Sequence, residues 1–242
     1  MKTVVIFHGF PDELSRSNSS VFKYFLKNKY RIIMPYLLSK EYILGRDEVL
    51  KKVLSLLKGK KPDVIVGISM GGLLAPHLAK LFPESKLMLI GTAAYFKTKI
   101  SLYNWLVKLE AGDERLILVR LLKLTPKWLY GFFYKLVNKN KDLTDREMQS
   151  RADENYEKVF EVPINEIKEI LKMVRGTNNL KILWQMPNKT LIIAGKHDKI
   201  MPVQLSKEMN SVMKNSKLMV SEGFHYDVFG EVDYAYVDNF LN

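Results

Sequence analysis

Short runs of β-branched and aliphatic residues recur along the chain, and between them apolar residues fall at helical spacing. Thr3-Val4-Val5-Ile6-Phe7, Arg31-Ile32-Ile33-Met34, Asp63-Val64-Ile65-Val66 and Lys86-Leu87-Met88-Leu89-Ile90 are short and continuously apolar. They predict strands buried on both faces. Residues 19–29 carry Val21, Phe22, Phe25 and Leu26 on one stripe, as a helix does, and 47–57 predict a second helix ended by Gly59. The run from Gly72 to Leu81 predicts a third helix, closed by Pro83. The rhythm returns near the carboxyl end, with strands over 190–194 and 217–220 and helices over 203–213 and 232–241. Strands alternating with helices predict a mostly parallel sheet of about six strands, covered by helices on both faces.

From 95 to 186 the alternation stops. No strand-like run occurs there, only helical stretches separated by Gly112, Pro126, Gly131, Pro163 and Gly176. A block of helices between two strands predicts an insertion. Residues 1–94 and 187–242 then form the α/β core, and 95–186 a helical cap between the fourth and fifth strands.

Composition narrows the function. A chain of 242 residues that is 47% hydrophobic fits one large domain with an insertion and is too apolar for disorder. There is no cysteine, which excludes disulfides and thiolate metal sites. The only histidines are His8, His77, His197 and His225, so a multi-histidine metal site is not expected. The first strand is expected to begin almost at Met1, so no signal peptide is expected in this sequence. The longest apolar stretch, 116–122, is interrupted by Arg120 and is far short of the ~20 residues of a membrane span. The expectation is a cytoplasmic protein that is not transmembrane. The net charge is +12, but it rests on scattered lysines, which fits a solvated surface and gives no reason to expect nucleic acid as a partner.

The candidate chemistry sits at Gly67-Ile68-Ser69-Met70-Gly71, between the third predicted strand and its helix. A serine on a tight strand-to-helix turn is lifted clear of the sheet, and small residues two before and two after it leave space for the turn. The free N–H groups at the start of the following helix favour a developing negative charge. Such a serine needs a base, and the base needs a group that orients it. In a parallel sheet, functional residues gather at the carboxyl ends of strands. His225 follows the last predicted strand and Asp198 the one before it, giving the chain order Ser69, Asp198, His225. Each alone has an ordinary explanation, as a turn aspartate or a loop histidine; the three together at strand ends do not. After the fourth strand the chain reads Gly91-Thr92-Ala93-Ala94-Tyr95, with no carboxylate, and Asp227 lies close to His225 in sequence for a residue that must come round behind the imidazole. His8 is expected to support its loop, His197 to lie at the surface, and His77 to be a packed or capping residue of the elbow helix.

These residues carry a resemblance. His8-Gly9-Phe10 after the first strand, Gly67-x-Ser69-x-Gly71, Gly195-x-x-Asp198-x-x-x-Pro202 and Gly223-x-His225 resemble the α/β-hydrolase superfamily of serine hydrolases. Within it the chain is similar to small carboxylesterases, including the type that demethylates a pimeloyl-carrier-protein methyl ester. The resemblance covers nearly the whole chain outside the cap. Two strands that usually precede the His-Gly motif are missing, so the sheet is expected to have six strands. The resemblance implies catalytic Ser69, Asp198 and His225, an oxyanion hole from the backbone N–H groups of Phe10 and Met70, and no cofactor or metal. It implies a small-molecule ester substrate. A thioesterase or carrier-protein ester hydrolase is the alternative within enzymes; a non-catalytic binding protein on the same fold is the alternative outside them.

The first half of the cap is rich in large apolar residues, among them Leu102, Tyr103, Leu106 and Tyr134. Trp105, Trp128, Phe132 and Phe133 are the candidates for lining a hydrophobic acyl pocket over Ser69. Residues 97–141 hold ten Lys and Arg against three acids, a net of +7. That face is expected either to dock an acidic carrier protein or an anionic lipid surface, or to be plain solvated surface.

Overall fold

A computed structural model of the protein describes residues 1–10, 19–35, 46–110, 115–137, 144–225 and 227–242. Pro11, Asp113, Glu114, Lys139 and Lys141, and the side chains of Leu102, Tyr103 and Leu106, lie outside the described residues.

The described strands are β1 (Thr3–Phe7), β2 (Arg31–Ile33), β3 (Val64–Ile68), β4 (Lys86–Ile90), β5 (Thr190–Gly195) and β6 (Ser216–Ser221). They form one six-stranded sheet in the order β2-β1-β3-β4-β5-β6, parallel at every pairing. The helices α1 (Ser20–Lys27), α2 (Arg46–Leu57), α3 (Ala75–Ala79), α10 (Val203–Val212) and α11 (Tyr234–Leu241) alternate with the strands. Between β4 and β5 run α4 (Ser101–Glu110), α5 (Ile117–Leu122), α6 (Lys127–Val137), α7 (Asp145–Glu161), α8 (Ile164–Gly176) and α9 (Leu180–Gln185).

The continuous apolar runs serve two cores because side chains alternate along a strand. Val5, Phe7, Ile65, Leu87, Leu89 and Ile192 face one layer, where they meet Val49 and Val53 of α2, Leu78 of α3, Leu183 of α9 and Met209 of α10. Val4, Ile6, Val66, Met88 and Ile193 face the other, against Val21 and Phe25 of α1 and Val237 and Phe240 of α11. Each of these side chains contributes about 1.5–3 kcal/mol by leaving water. The edge strands differ in kind: β2 has only three residues and β6 is partly exposed.

Two elements depart from the sequence pattern. Gly72 to Leu81 is not one helix. A 3₁₀ turn over Ser69–Leu73 is followed by the five-residue α3. Pro76 has no N–H to return to the carbonyl four residues back, and Leu74 and His77 instead donate to the carbonyls of Gly71 and Leu74, three residues back. No long helix therefore stands behind Ser69, and any help to a nearby negative charge must come from local N–H groups. The second departure is α9. Residues 178–186 close onto the strand-bearing body: Asn178 bridges Tyr95, and Leu183 and Met186 are buried in the first core layer.

Asn179 fastens that closure. Its side-chain NH₂ donates to the Leu73 carbonyl at 2.9 Å. Its backbone N–H donates to the Ala94 carbonyl at 2.8 Å. His77 Nε2 donates to its Oδ1 at 3.0 Å. Burial pushes the His77 imidazole below the usual histidine range, with Arg46 adding to the effect, so the ring serves as a neutral partner. Asn179→Ala strips both side-chain bonds and leaves the Leu73 carbonyl buried without its partner. It is expected to lower the unfolding free energy by about 1–3 kcal/mol, read as a lower urea midpoint at unchanged slope.

Candidate functional site

The carboxyl ends of five strands converge: β1 leads into His8–Phe10, β3 into Ser69, β4 into Gly91-Thr92, β5 into the loop of Asp198 and β6 into the loop of His225. Ser69 sits on the turn with φ +48°, the left-handed region that a residue with a Cβ enters at a cost of about 1–3 kcal/mol. The surrounding packing holds it there. A Cβ on Gly71 would lie 2.2 Å from the Phe7 carbonyl oxygen and 2.6 Å from that of His8. A Cβ on Gly67 would lie 2.6 Å from the Gly72 Cα. The two glycines of the motif are thus demanded by the close approach of backbone to backbone. The same approach brings the elbow against the end of β1, where His8, Gly9 and Phe10 follow.

Ser69 Oγ lies 2.9 Å from His225 Nε2, and His225 Nδ1 lies 2.7 Å from Asp198 Oδ2. The Asp198 and His225 side chains are 0% and 7% exposed. The other oxygen of Asp198 accepts from the backbone N–H groups of Ile200 at 2.8 Å and Met201 at 2.7 Å. Asp198 is therefore fixed by its own loop on one oxygen and faces the imidazole with the other. A carboxylate at Nδ1 selects the tautomer with the proton there, which leaves Nε2 free to accept from the serine hydroxyl. The structure brings together the three residues that the sequence picks out.

Other expected residues are placed as follows. Met70 is buried within the elbow turn, and Phe10 is half-buried against the first core layer. His8 is buried, with Nδ1 2.7 Å from the Gly9 carbonyl. His197 is half exposed and stacks on Phe224, with its Nε2 3.5 Å from Glu222. Asp227 Oδ1 accepts from the Phe224 N–H at 2.6 Å and so closes the loop that carries His225. Trp105, Trp128, Phe132 and Phe133 are all exposed. The face that α6 buries carries Tyr130 instead, which packs on Tyr156 and Phe160 of α7. Beside the Asp198 loop, Ala93, Met201 and Leu205 form a small apolar cluster with Tyr95, Phe96 and Ile200.

Thr92 is a residue that sequence reasoning passed over. Its hydroxyl donates to the Ser69 carbonyl at 2.7 Å, its own carbonyl accepts from Ser206 Oγ at 3.3 Å, and it is buried. It was visible only as a position, the second residue beyond β4 at the carboxyl end of the strands. A cleft of about 600 Å³ opens at the opposite, amino-terminal end of the strands, lined by Lys2, Asp63, Pro83 and Lys86; it is remote from Ser69 and plays no part in this chemistry.

The comparisons with known proteins bear on the family and the fold. The sequence model of the family Hydrolase_4, described as serine aminopeptidase, S33, matches residues 40–233. No curated protein matches in sequence. Among solved structures, a meta-cleavage product hydrolase from Pseudomonas fluorescens superposes with a TM-score of 0.70 at 18% identity, over 100% of this chain and 91% of that one. A carboxylesterase structure from the ammonia-oxidizing thaumarchaeon Nitrososphaera gargenis gives 0.71 at 18% identity, over 99% and 89%. The 2-hydroxy-6-oxo-6-phenylhexa-2,4-dienoate hydrolase of a Rhodococcus strain gives 0.69 at 17%, over 98% and 89%. At these identities the structures speak for the fold alone.

The bond from Thr92 to the Ser69 carbonyl generates a prediction. Thr92→Val keeps the shape and loses the donor, so the elbow is held less firmly. Labelling of Ser69 by a fluorophosphonate is expected to slow about tenfold, with Thr92→Ser restoring most of the rate. The rates are read by gel fluorescence over time. Equal rates for Thr92→Val and the parent would remove Thr92 from the positioning of Ser69.

Proposed function

We propose that this chain, which belongs to the Hydrolase_4 family (serine aminopeptidase, S33) and is a serine hydrolase of the α/β fold, cleaves carboxylic esters with hydrophobic acyl groups. The observation that supports the reading is the hydrogen-bonded run from Ser69 through His225 to Asp198, at 2.9 and 2.7 Å, at the carboxyl ends of β3, β5 and β6.

In the proposed mechanism Ser69 Oγ attacks the ester carbonyl carbon while His225 Nε2 takes the hydroxyl proton. Asp198 keeps the imidazole oriented and stabilises its protonated form. The carbonyl oxygen becomes an oxyanion held by the N–H groups of Met70 and Phe10, each worth about 2.7–4 kcal/mol when aimed at the developing charge. When the tetrahedral adduct collapses, the C–O bond to the alcohol breaks and His225 returns the proton to the departing oxygen. Water then attacks the acyl-enzyme, giving up its proton to His225, and the acid leaves as Ser69 is re-protonated. The residues from α4 to α8 act as the cap in this reading.

The test is a substrate panel run on the parent chain and on variants. It comprises 4-nitrophenyl esters of increasing acyl length, an acyl thioester and an aminoacyl anilide. Esters are expected to turn over fastest, with kcat/KM rising from the shortest acyl chain. Ser69→Ala is expected to abolish turnover and fluorophosphonate labelling together. Asp198→Asn is expected to cost on the order of 10⁴ in kcat, the scale of a lost triad carboxylate, and Asp227→Asn far less. Faster cleavage of the anilide would replace the ester reading by a peptidase one, and faster cleavage of the thioester by a thioesterase one. Binding of the substrates with no turnover of any would leave a non-catalytic protein.

A further inference from the structure

The 3₁₀ turn Ser69–Leu73 is held at both of its ends. At the first, the Thr92 hydroxyl donates to the Ser69 carbonyl at 2.7 Å, and Thr92 lies so near Gly72 that a Cβ there would stand 2.2 Å from its Oγ1. At the last, the carbonyl of Leu73 lacks both donors that a helix would supply. The residue three on is Pro76, which has no N–H, and the N–H of the residue four on, His77, goes to the Leu74 carbonyl. A buried carbonyl needs a donor. This one comes from a residue 106 positions along the chain, the side-chain NH₂ of Asn179, at 2.9 Å. The Leu73 carbonyl also decides which way that amide faces. With its NH₂ on the carbonyl, Oδ1 faces His77 Nε2 at 3.0 Å, and the ring must carry its proton there.

Asn179 stands where the chain returns from the helices between β4 and β5. It opens α9, and its own carbonyl accepts from the Leu183 N–H at 2.9 Å. Its backbone N–H donates to Ala94, at the point where the chain leaves the sheet, and Asn178 bridges Tyr95 beside it. The leaving and returning segments are thus joined to each other, and the joint is bonded to the turn that carries Ser69. The break that Pro76 makes in the elbow helix is a socket, and Asn179 fills it. The place of this bond matters. It falls on the last carbonyl of a five-residue turn whose first residue holds φ +48°. A strained conformation persists only while its surroundings over-determine it, and this turn can unwind from either end. Thr92 closes one end and Asn179 the other.

We propose that Asn179 is a positioning residue for Ser69: by holding the Leu73 carbonyl it keeps the turn wound and the Ser69 hydroxyl on His225. The proposal rests on the reading of Ser69 as the nucleophile and adds a distant residue on which its alignment depends. The test follows fluorophosphonate labelling of the full chain over a range of probe concentrations, which separates the limiting rate from the affinity for the probe. Asn179→Asp keeps the size and the acceptor toward His77 but turns an oxygen to the Leu73 carbonyl. Its limiting rate is expected to fall about tenfold or more, since a misplacement of about 1 Å can cost on the order of 10²-fold, with the probe affinity of the parent. His77→Leu leaves the amide free to turn away and is expected to slow labelling in the same way. His77→Gln, whose side-chain NH₂ can reach the place of Nε2, is expected to restore most of the rate. Urea curves show which variants are folded under the labelling conditions, and the His77 pair carries the test if Asn179→Asp does not fold. Folded variants that label at the parent's limiting rate, with only a lower urea midpoint, overturn the proposal and leave Asn179 a residue of stability alone. A loss confined to probe affinity overturns it too. A parent chain that takes no label overturns the reading of Ser69 as nucleophile, and this proposal with it.

Discussion

Ser69 occupies a backbone conformation that isolated serine avoids, and the site depends on its staying there. Three contacts hold it. The Thr92 hydroxyl takes its carbonyl, Gly71 lets the turn press onto the carbonyls of Phe7 and His8, and Gly67 lets Gly72 fold back over the end of β3. Each contact ties the turn to a different part of the sheet, at β4, β1 and β3. A local cost of about 1–3 kcal/mol persists only when the surroundings over-determine the conformation. Here they do, because the neighbours are strands with hydrogen bonds and cores of their own.

The sheet turns that constraint into a site. Parallel strands place all their carboxyl ends on one side, so residues far apart in sequence, 69, 198 and 225, need only short loops to meet. The loops are firmly built. Asp198 is held by N–H groups of its own loop, and Asp227 by the N–H of Phe224 beside His225. The loops after β5 and β6 are tied together where Lys196 and His197 donate to the Ser221 and Gly223 carbonyls. Before any substrate arrives, the imidazole already lies between a carboxylate and a hydroxyl. A proposed general base gains most from this kind of preorganisation, since little reordering is left for the reaction itself.

Much of this was legible in the chain because it rests on local pattern. The four central strands are continuous apolar runs, and Ser69, Asp198 and His225 each follow a strand within a glycine-bearing motif, so both could be placed by counting. What was missed depends on contacts that no spacing encodes. Thr92 looks like any threonine in a loop until the strand beside it brings the elbow within 2.7 Å. Asn179 reads as one more polar residue in a helical block, yet its amide joins that block to the body. The elbow helix was expected to be continuous because its apolar spacing is helical; the missing N–H of Pro76 outweighs the spacing. The exposure of Trp128 and Phe132 was hidden for a related reason. Apolar periodicity shows that a helix has a greasy face, but α6 has two, and only tertiary contact tells which one α7 covers.

That ambiguity carries a physical consequence. A soluble helix normally buries its widest apolar stripe and leaves polar residues in water. In α6 the buried stripe is the one that can satisfy its own polar atoms: the Tyr130 hydroxyl donates to Asn155, and Tyr156 of α7, on which Tyr130 packs, donates to the Thr125 carbonyl. The exposed stripe consists of Trp128, Phe132 and Leu136, of which only the tryptophan has a polar group to place. Folding has therefore sorted tyrosines inward and the residues with least need of hydrogen bonds outward. Lys127 pairs with Glu157 of α7, and Lys123, in the turn before α6, donates to the Phe160 carbonyl near the end of α7. The helix is thereby anchored to its neighbour through its tyrosine-bearing face.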